Sequence, residues 1–492
     1  MGGTGDMTTF AQLDERSNQL AHVIRAAGVG RGGSLAIFAE NHPRFLEVAW
    51  AAQRCGLSYT AVNSHLTADE AAYIIDDCDA SVVVSTIRLA AVATAACTAS
   101  STSKVRLRLM LGGDTPPGWE SYEATVDSQP TAPVADECEG DFMLYSSGTT
   151  GRPKGIRRAM TFPPLGEPLR AATPLLQGLG VRAGSVYITP APLYHAAPLA
   201  WSMGAQRLGA TVVVMERFDA QDCLDLIERH RVTHGQFVPT MFVRMLKLSA
   251  EVRAAHDLSS LQAVVHAAAP CPVDVKRAMI DWWGPIINEY YSSTEGAGIT
   301  WITSAQWLER PGSVGRAIAG EPVILDDEGH EMPAGQIGTV WFRGGIEFQY
   351  HNDPIKTAAA RDETGAATVG DIGYLDDDGY LYLTDRKAFM IIAGGVNIYP
   401  QEAENTLINH PAVFDVAVIG VPDPEMGEAV KAVVQPVEWA DAGPELEAEL
   451  LAYCREHLAA YKCPRSIDFD RELPRLDTGK LYKQELRARF WP

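Results

Sequence analysis

Between residues 10 and 290 the chain switches repeatedly between two periods, and this alternation constrains the fold more than any other feature. Apolar positions at helical spacing run from Ala11 to Ala27, followed by a strand-like Leu35–Phe38, a helical Phe45–Cys55 and a strand-like Ser81–Ser85. The rhythm resumes with Val186–Thr189, Thr211–Met215, a helix over Asp219–His230, then Gln236–Val238, Val264–His266 and Ile286–Glu289. Strands that alternate with helices of this length predict parallel sheets covered by helices, here two α/β layers in succession.

From about residue 311 the texture changes to short strands punctuated by Gly and Asp, such as Gly338–Phe342 and Tyr380–Thr384, which suits a small β-barrel-like subdomain. After Arg386 the pattern changes again: strand 389–392, helix 400–409, strands 413–419 and 429–434, helix 445–458. The expected class is therefore α/β and α+β: a large N-terminal domain, residues 1–387, and a small α+β C-terminal domain, residues 388–492.

Charge narrows the partners. With 62 Asp+Glu against 41 Lys+Arg, a formal charge of -21 repels phosphate backbones, so no nucleic-acid partner is expected. The 8 cysteines are scattered, with no C-x-x-C pair and no zinc spacing, which predicts reduced thiols in a cytoplasmic protein. Aliphatic runs such as Val82–Val84 and Val212–Met215 fall far short of the ~20 apolar residues of a membrane-spanning helix. The opening Met1–Met7 lacks the basic start and apolar stretch of a signal peptide and is expected to be flexible. Oligomeric state is left open, a homodimer included.

The stretch that carries chemistry is Leu144-Tyr145-Ser146-Ser147-Gly148-Thr149-Thr150-Gly151-Arg152-Pro153-Lys154-Gly155. Glycines let the backbone approach a ligand, while hydroxyls, backbone N–H groups and Lys154 can meet oxyanions. It is not the P-loop pattern, because Lys-Ser/Thr does not follow its second glycine. A flexible Ser/Thr/Gly turn is the plain alternative.

This loop resembles the signature of the adenylate-forming superfamily, which contains acyl-CoA synthetases, luciferases and peptide-synthetase adenylation domains. Further matches follow in the family's order: Pro192–His195, Ala267–Pro270, Tyr291–Glu295, Gly370-Asp371, Asp385–Lys387, Gly394–Pro400, Gly420–Asp423 and Pro474–Lys480. The resemblance covers nearly the whole chain beyond residue 10.

The resemblance implies ATP as cosubstrate with Mg²⁺, and assigns Ser146, Ser147, Gly148, Thr149, Thr150, Gly151 and Lys154 to its phosphates. It assigns Glu295 to the metal and Thr294 to the neighbouring phosphate. Adenine would lie between Tyr291 and the backbone of Ala268 and Ala269, with Asp371 accepting from the ribose hydroxyls and Arg386 nearby. Lys480, on a C-terminal domain that rotates about residue 388, would bridge the carboxylate and α-phosphate. His195 would gate the acid and thiol entrances. The acid pocket is expected from Tyr194–Trp201, Val238–Phe242, His266 and Gly296–Ile299, whose apolar and aromatic character favours a hydrophobic or aryl carboxylic acid.

The implied reaction joins an acid to AMP, expels pyrophosphate and passes the acyl group to coenzyme A. The alternatives are an amine acceptor, giving an amide bond synthetase, a freestanding loader of a carrier protein, and a non-enzymatic adenylate sensor. Retention of Glu295, Lys480 and the Gly-rich loop argues against the sensor. Three departures stand out. The segment before Thr9-Phe10 is shorter than the family's strand-rich opening, and Ala388 replaces the usual Lys or Asp at the hinge. Arg31-Gly32-Gly33-Ser34 resembles a phosphopantetheine site, but it is better read as the turn between the first helix and strand.

Overall fold

The computed structural model describes residues 1–99, 104–146, 153–167, 172–475 and 481–491, which form two compact units. The first comprises Met1–Phe237, Ala250–Val264 and Glu347–Ala359; the second comprises Val238–Ser249, Val265–Ile346 and Ala360–Pro492.

Unit one opens on the helix Phe10–Ala26, whose start is fixed by a capping box between Thr9 and Gln12. Six strands then assemble in parallel in the order Glu120–Ser121, Leu107–Leu111, Val82–Thr86, Ser34–Phe38, Ser58–Val62, Asp141–Phe142. The central three are buried at every position, as expected of a sheet covered on both faces. The period-2 alternation divides the strand Ser34–Phe38 between two cores. Leu35 and Ile37 pack with Leu20, Ile24 and Val48, whereas Ala36 and Phe38 pack with Ile74, Ile75 and Ala93. Each face thus receives its own pair of helices.

A second parallel set in this unit places Val186–Thr189 between Thr211–Val214 and His234–Phe237, the second layer of the sequence reading. The Gly-rich stretch is flanked by a hairpin of Leu144–Ser146 and Lys154–Arg157, extended by Gln349–Tyr350. The N-terminus is tied down, contrary to expectation. Gly2 N–H donates to Val214 O at 2.7 Å, and the Gly3 and Thr4 amides donate to the Glu216 carboxylate at 2.8 and 2.9 Å. Sequence composition gave no sign of that acceptor, which lies over 200 residues away.

Unit two carries antiparallel strands in the order Ile287–Ser292, Ile299–Ile302, Ser313–Ala319, Leu381–Arg386, Asp371–Leu375, Gly338–Arg343, Glu321–Leu325. The later members are the short, Gly- and Asp-punctuated strands of the expected small subdomain. Beyond a 3-10 turn at Lys387–Phe389, a second sheet joins Val413–Asp423 and Gly427–Pro436 to Ile391–Ala393, Val396–Ile398 and Ser466–Phe469. Its two faces are filled by separate clusters, one with Leu407, Leu450 and Cys454, the other with Leu473 and Leu486. All 8 cysteines are free thiols. Among the described residues no helix is long and apolar enough to cross a membrane.

Candidate active site

Three strands of unit two bring predicted nucleotide residues together. Tyr291 lies near the end of Ile287–Ser292, and its hydroxyl donates to Asp371 Oδ2 at 2.6 Å. Asp371 opens the strand Asp371–Leu375, is only 5% exposed, and faces Arg386 in antiparallel register. Ala268 follows His266 with φ at 77°, a left-handed conformation that a non-glycine residue adopts at a cost of order 1 kcal/mol. Its neighbour Ala269 is half-buried and Ala268 itself is exposed, so a stretch of strained backbone is presented without a bulky side chain in the way.

The turn after Tyr291 carries Thr294 and Glu295. Gly296 N–H donates to Ser293 O at 3.0 Å, and Ser292 Oγ donates to Gly298 O at 2.8 Å, closing the turn on itself. Two glycines permit its packing. A Cβ on Gly298 would fall 1.9 Å from the Phe342 ring, and one on Gly345 would fall 1.7 Å from Ala297 O. Phe342 also lies 6.2 Å from the Tyr291 ring, centroid to centroid, so one aromatic side chain backs both the tyrosine and the turn. Glu295 is 8% exposed and Thr294 half-buried.

Beneath the site runs a polar cluster in which sequence reasoning named His266 but missed the Lys276–Glu289 pair. Lys276 on the helix Val273–Trp283 is fully buried and ion-paired to Glu289, which stands two residues before Tyr291 on the same strand. His266 Nε2 lies 3.4 Å from the same carboxylate, and Phe242 meets the imidazole edge-on with centroids 5.5 Å apart. Burial, reinforced by the Lys276 charge, holds the His266 pKa well below its usual value, so the ring is neutral. Burial also pushes the Glu289 carboxyl up, against the pull of Lys276. The signal was legible: Lys276 falls at helical spacing with Met279, Ile280 and Trp283, a charge on an apolar stripe.

In unit one, His195 is the N-cap residue of the helix Ala196–Arg207, its ring tilted against Tyr194 with centroids 4.4 Å apart. Tyr194 and Trp201, both expected at the acid pocket, are buried. Lys154 opens its strand with Nζ 5.0 Å above the centre of the Tyr350 ring, a cation–π contact across the hairpin sheet. Ser146 and Arg386 end their strands. Ser147, Gly148, Thr149, Thr150 and Gly151, together with Lys480, lie outside the described residues.

The described residues contain no group of three or more His, Cys, Asp or Glu side chains that could hold a metal ion. Glu295 supplies a hard carboxylate donor. That set fits Mg²⁺ brought in with a nucleotide, since this ion takes one or two carboxylates and completes its shell with phosphate oxygens and water.

The AMP-binding enzyme model matches residues 2–348, and the AMP-binding enzyme C-terminal domain matches residues 402–480. A feruloyl-CoA synthase of Amycolatopsis sp is 34% identical over 99% of this chain and 95% of its own length. Among solved structures, the amide bond synthetase McbA of Marinactinospora thermotolerans superposes with a TM-score of 0.80 at 29% identity, covering 99% of this chain and 96% of its own. The anthranilate CoA ligase AuaEII, in complex with anthranoyl-AMP, gives 0.83 at 26% identity over 98% and 92%.

Proposed function

The chain belongs to the AMP-binding enzyme family and is an AMP-forming ligase, and from that premise we propose that it activates a hydrophobic or aryl carboxylic acid as its acyl-adenylate and transfers the acyl group to coenzyme A. The observation that carries this reading is the meeting of Tyr291, Asp371 and the register partner Arg386, with the strained Ala268 backbone on the same unit. Those residues span over 100 positions of sequence, and a nucleotide needs them together.

A carboxylate is a poor electrophile because its charge is delocalised and its leaving group would be oxide. Attack on the α-phosphate of ATP exchanges that leaving group for AMP, and negative charge builds on phosphoryl oxygens. Asp371 accepts from the ribose, the ring of Tyr291 stacks on adenine, and Thr294 donates to the α-phosphate. Glu295 would hold Mg²⁺, which when bound neutralises phosphate charge. Lys480 supplies the cation between carboxylate and phosphate. The acid is read as hydrophobic or aryl from the apolar and aromatic make-up of Tyr194–Trp201, in which Tyr194 and Trp201 are buried. The protein is placed in the cytoplasm, with free thiols in support.

Residues 388–492 are read as the mobile domain, because they own two core clusters and begin at the 3-10 turn Lys387–Phe389. Ala388 and the likeness to an amide bond synthetase favour a second reading, in which an amine intercepts the adenylate in place of coenzyme A.

The test is mass spectrometry after incubation with ATP, Mg²⁺ and a panel of acids, with and without coenzyme A or amines. Acid-dependent pyrophosphate release, abolished by EDTA and accompanied by hydroxamate when hydroxylamine is present, is expected. ATP split to ADP with every acid would overturn the reading.

A further inference from the structure

Unit one holds a polar cavity whose lining includes none of the nucleotide residues named above. A cleft of about 380 Å³ opens where the parallel strands begin, lined by the turn Gly32–Ser34 and the first residues of neighbouring strands. Gly32, Gly33 and Ser34 of the motif set aside above as a simple turn thus form one of its walls.

Lys104, Arg106 and Arg157 surround this cleft, against the single acid Asp79. Lys104 is ion-paired to Asp79, which leaves the two guanidinium groups as net positive charge. Arg106 uses one Nη1 donor on Gly28 O at 2.8 Å. Arg157 is exposed, and no ion pair or side-chain hydrogen bond engages it among the described residues. In a chain of formal charge -21, two uncompensated arginines facing one cavity are a local inversion of the field.

Two further groups are left wanting a partner. The Ser34 hydroxyl is 6% exposed and has no oxygen or nitrogen partner, only the weakly bonding Cys78 thiol beside it. His351 Nε2 is sequestered from solvent and likewise unpartnered. Buried polar atoms without partners cost of order 1–3 kcal/mol each, and here both line the same cleft as the arginines.

We propose that this cleft is a binding site for a small phosphate anion of the pyrophosphate class. Guanidinium forks, a hydroxyl and an imidazole approach from different walls, which suits tetrahedral phosphate oxygens better than a flat carboxylate. The volume exceeds what one phosphate fills, and a diphosphate carries enough charge to engage both arginines. Arg157 ends the strand Lys154–Arg157, whose other end leads out of the predicted phosphate loop, so an anion here braces the root of that hairpin. The proposal stands on the cleft alone and does not depend on the acyl-transfer reading.

The test is isothermal titration of the full chain, without Mg²⁺ and at low ionic strength, with pyrophosphate and separately with orthophosphate. One saturable site is expected, tighter for pyrophosphate. Arg157→Glu should weaken it by about tenfold or more, the worth of a charge-assisted contact to an anion, with an unchanged circular dichroism spectrum. Arg106→Gln should weaken it too, and Glu295→Gln should leave it in place. Absence of saturable binding in the millimolar range overturns the proposal. So does wild-type affinity in Arg157→Glu, or binding that disappears in Glu295→Gln alone.

Discussion

The Tyr291 hydroxyl donates to Asp371 Oδ2 at 2.6 Å, joining the residue that would stack on adenine to the residue that would hold the ribose. The bond ties Ile287–Ser292 to Asp371–Leu375 and occupies an acceptor that the ribose hydroxyls need. A nucleotide must therefore share or displace it, which makes the two side chains separable by kinetics. Asp371→Ala should raise the KM for ATP by about 10–100-fold, the loss of one or two hydrogen bonds to a charged group. Tyr291→Phe keeps the ring and should change it by less than about fivefold. Equal, large losses in both variants would show that the phenol, not the stacking, matters.

Gly298 has no room for a side chain, because a Cβ there would sit 1.9 Å from the Phe342 ring. Gly298→Ala should displace the turn that carries Thr294 and Glu295, lowering adenylation by about tenfold or more and stability by roughly 1–3 kcal/mol. Phe342→Leu combined with it should restore part of both, read by pyrophosphate release and chemical denaturation. Failure of the double variant to recover either would place the strain elsewhere.

Lys480→Ala should slow adenylation about 10²–10³-fold while ATP binding is largely kept, the usual penalty for removing one transition-state donor. Pyrophosphate formation at the wild-type rate in this variant would assign Lys480 to surface charge.

The choice of acceptor is testable at Ala388, the proposed hinge residue, inside the 3-10 turn Lys387–Phe389. Proline there fixes φ near -65° and restricts rotation of residues 388–492. If coenzyme A is the acceptor, Ala388→Pro should still make acyl-AMP but lose the thioester. Robust acyl-CoA from the variant would sink the rotation argument, and wild type making amide but no acyl-CoA would favour the amine reading.

Lys247 gives a pH dependence. Its ammonium donates to Val413 O and Phe414 O, both at 2.7 Å, joining the helix Pro239–Leu246 to the C-terminal sheet. Burial pushes its pKa down to about 8, with Asp415 pulling weakly the other way. A lysine whose pKa falls on docking carries its full penalty below about 8 and sheds it as pH rises toward the free value of 10.5. Docking of these segments should therefore tighten between those limits, seen as slower hydrogen exchange at 413–416 after correction for intrinsic rates. Lys247→Met should remove the dependence.

Much of the architecture was legible because it is local. The alternation of periods gave the parallel layers, the apolar spacing over Ala11–Ala27 gave the first helix, and the break after Arg386 gave the change to a new sheet. The misjudged N-terminus and the identity of the partner of Lys276 share a cause: the burial of Lys276 was legible in its helical stripe, but Glu289, like the Glu216 acceptor, is a partner that composition cannot locate. Burial turns such a partner into a requirement, since an isolated charge inside the core is costly.

The amino-acid sequence by itself determined the motifs and their order: Ala268, Tyr291, Glu295, Asp371 and Arg386 each sit in a stretch that resembles the adenylate-forming family's, and the resemblance implies a role for each. Only the tertiary structure decided that Tyr291 bonds to Asp371 across 80 residues, that Ala268 stands at φ 77°, and that Phe342 leaves space for nothing larger than glycine at 298. Local pattern fixes the period and the turns of a chain. Which strand lies beside which, and hence which side chains meet, is set by packing many distant segments around common cores, where a shift of one residue would turn Asp371 away from the tyrosine.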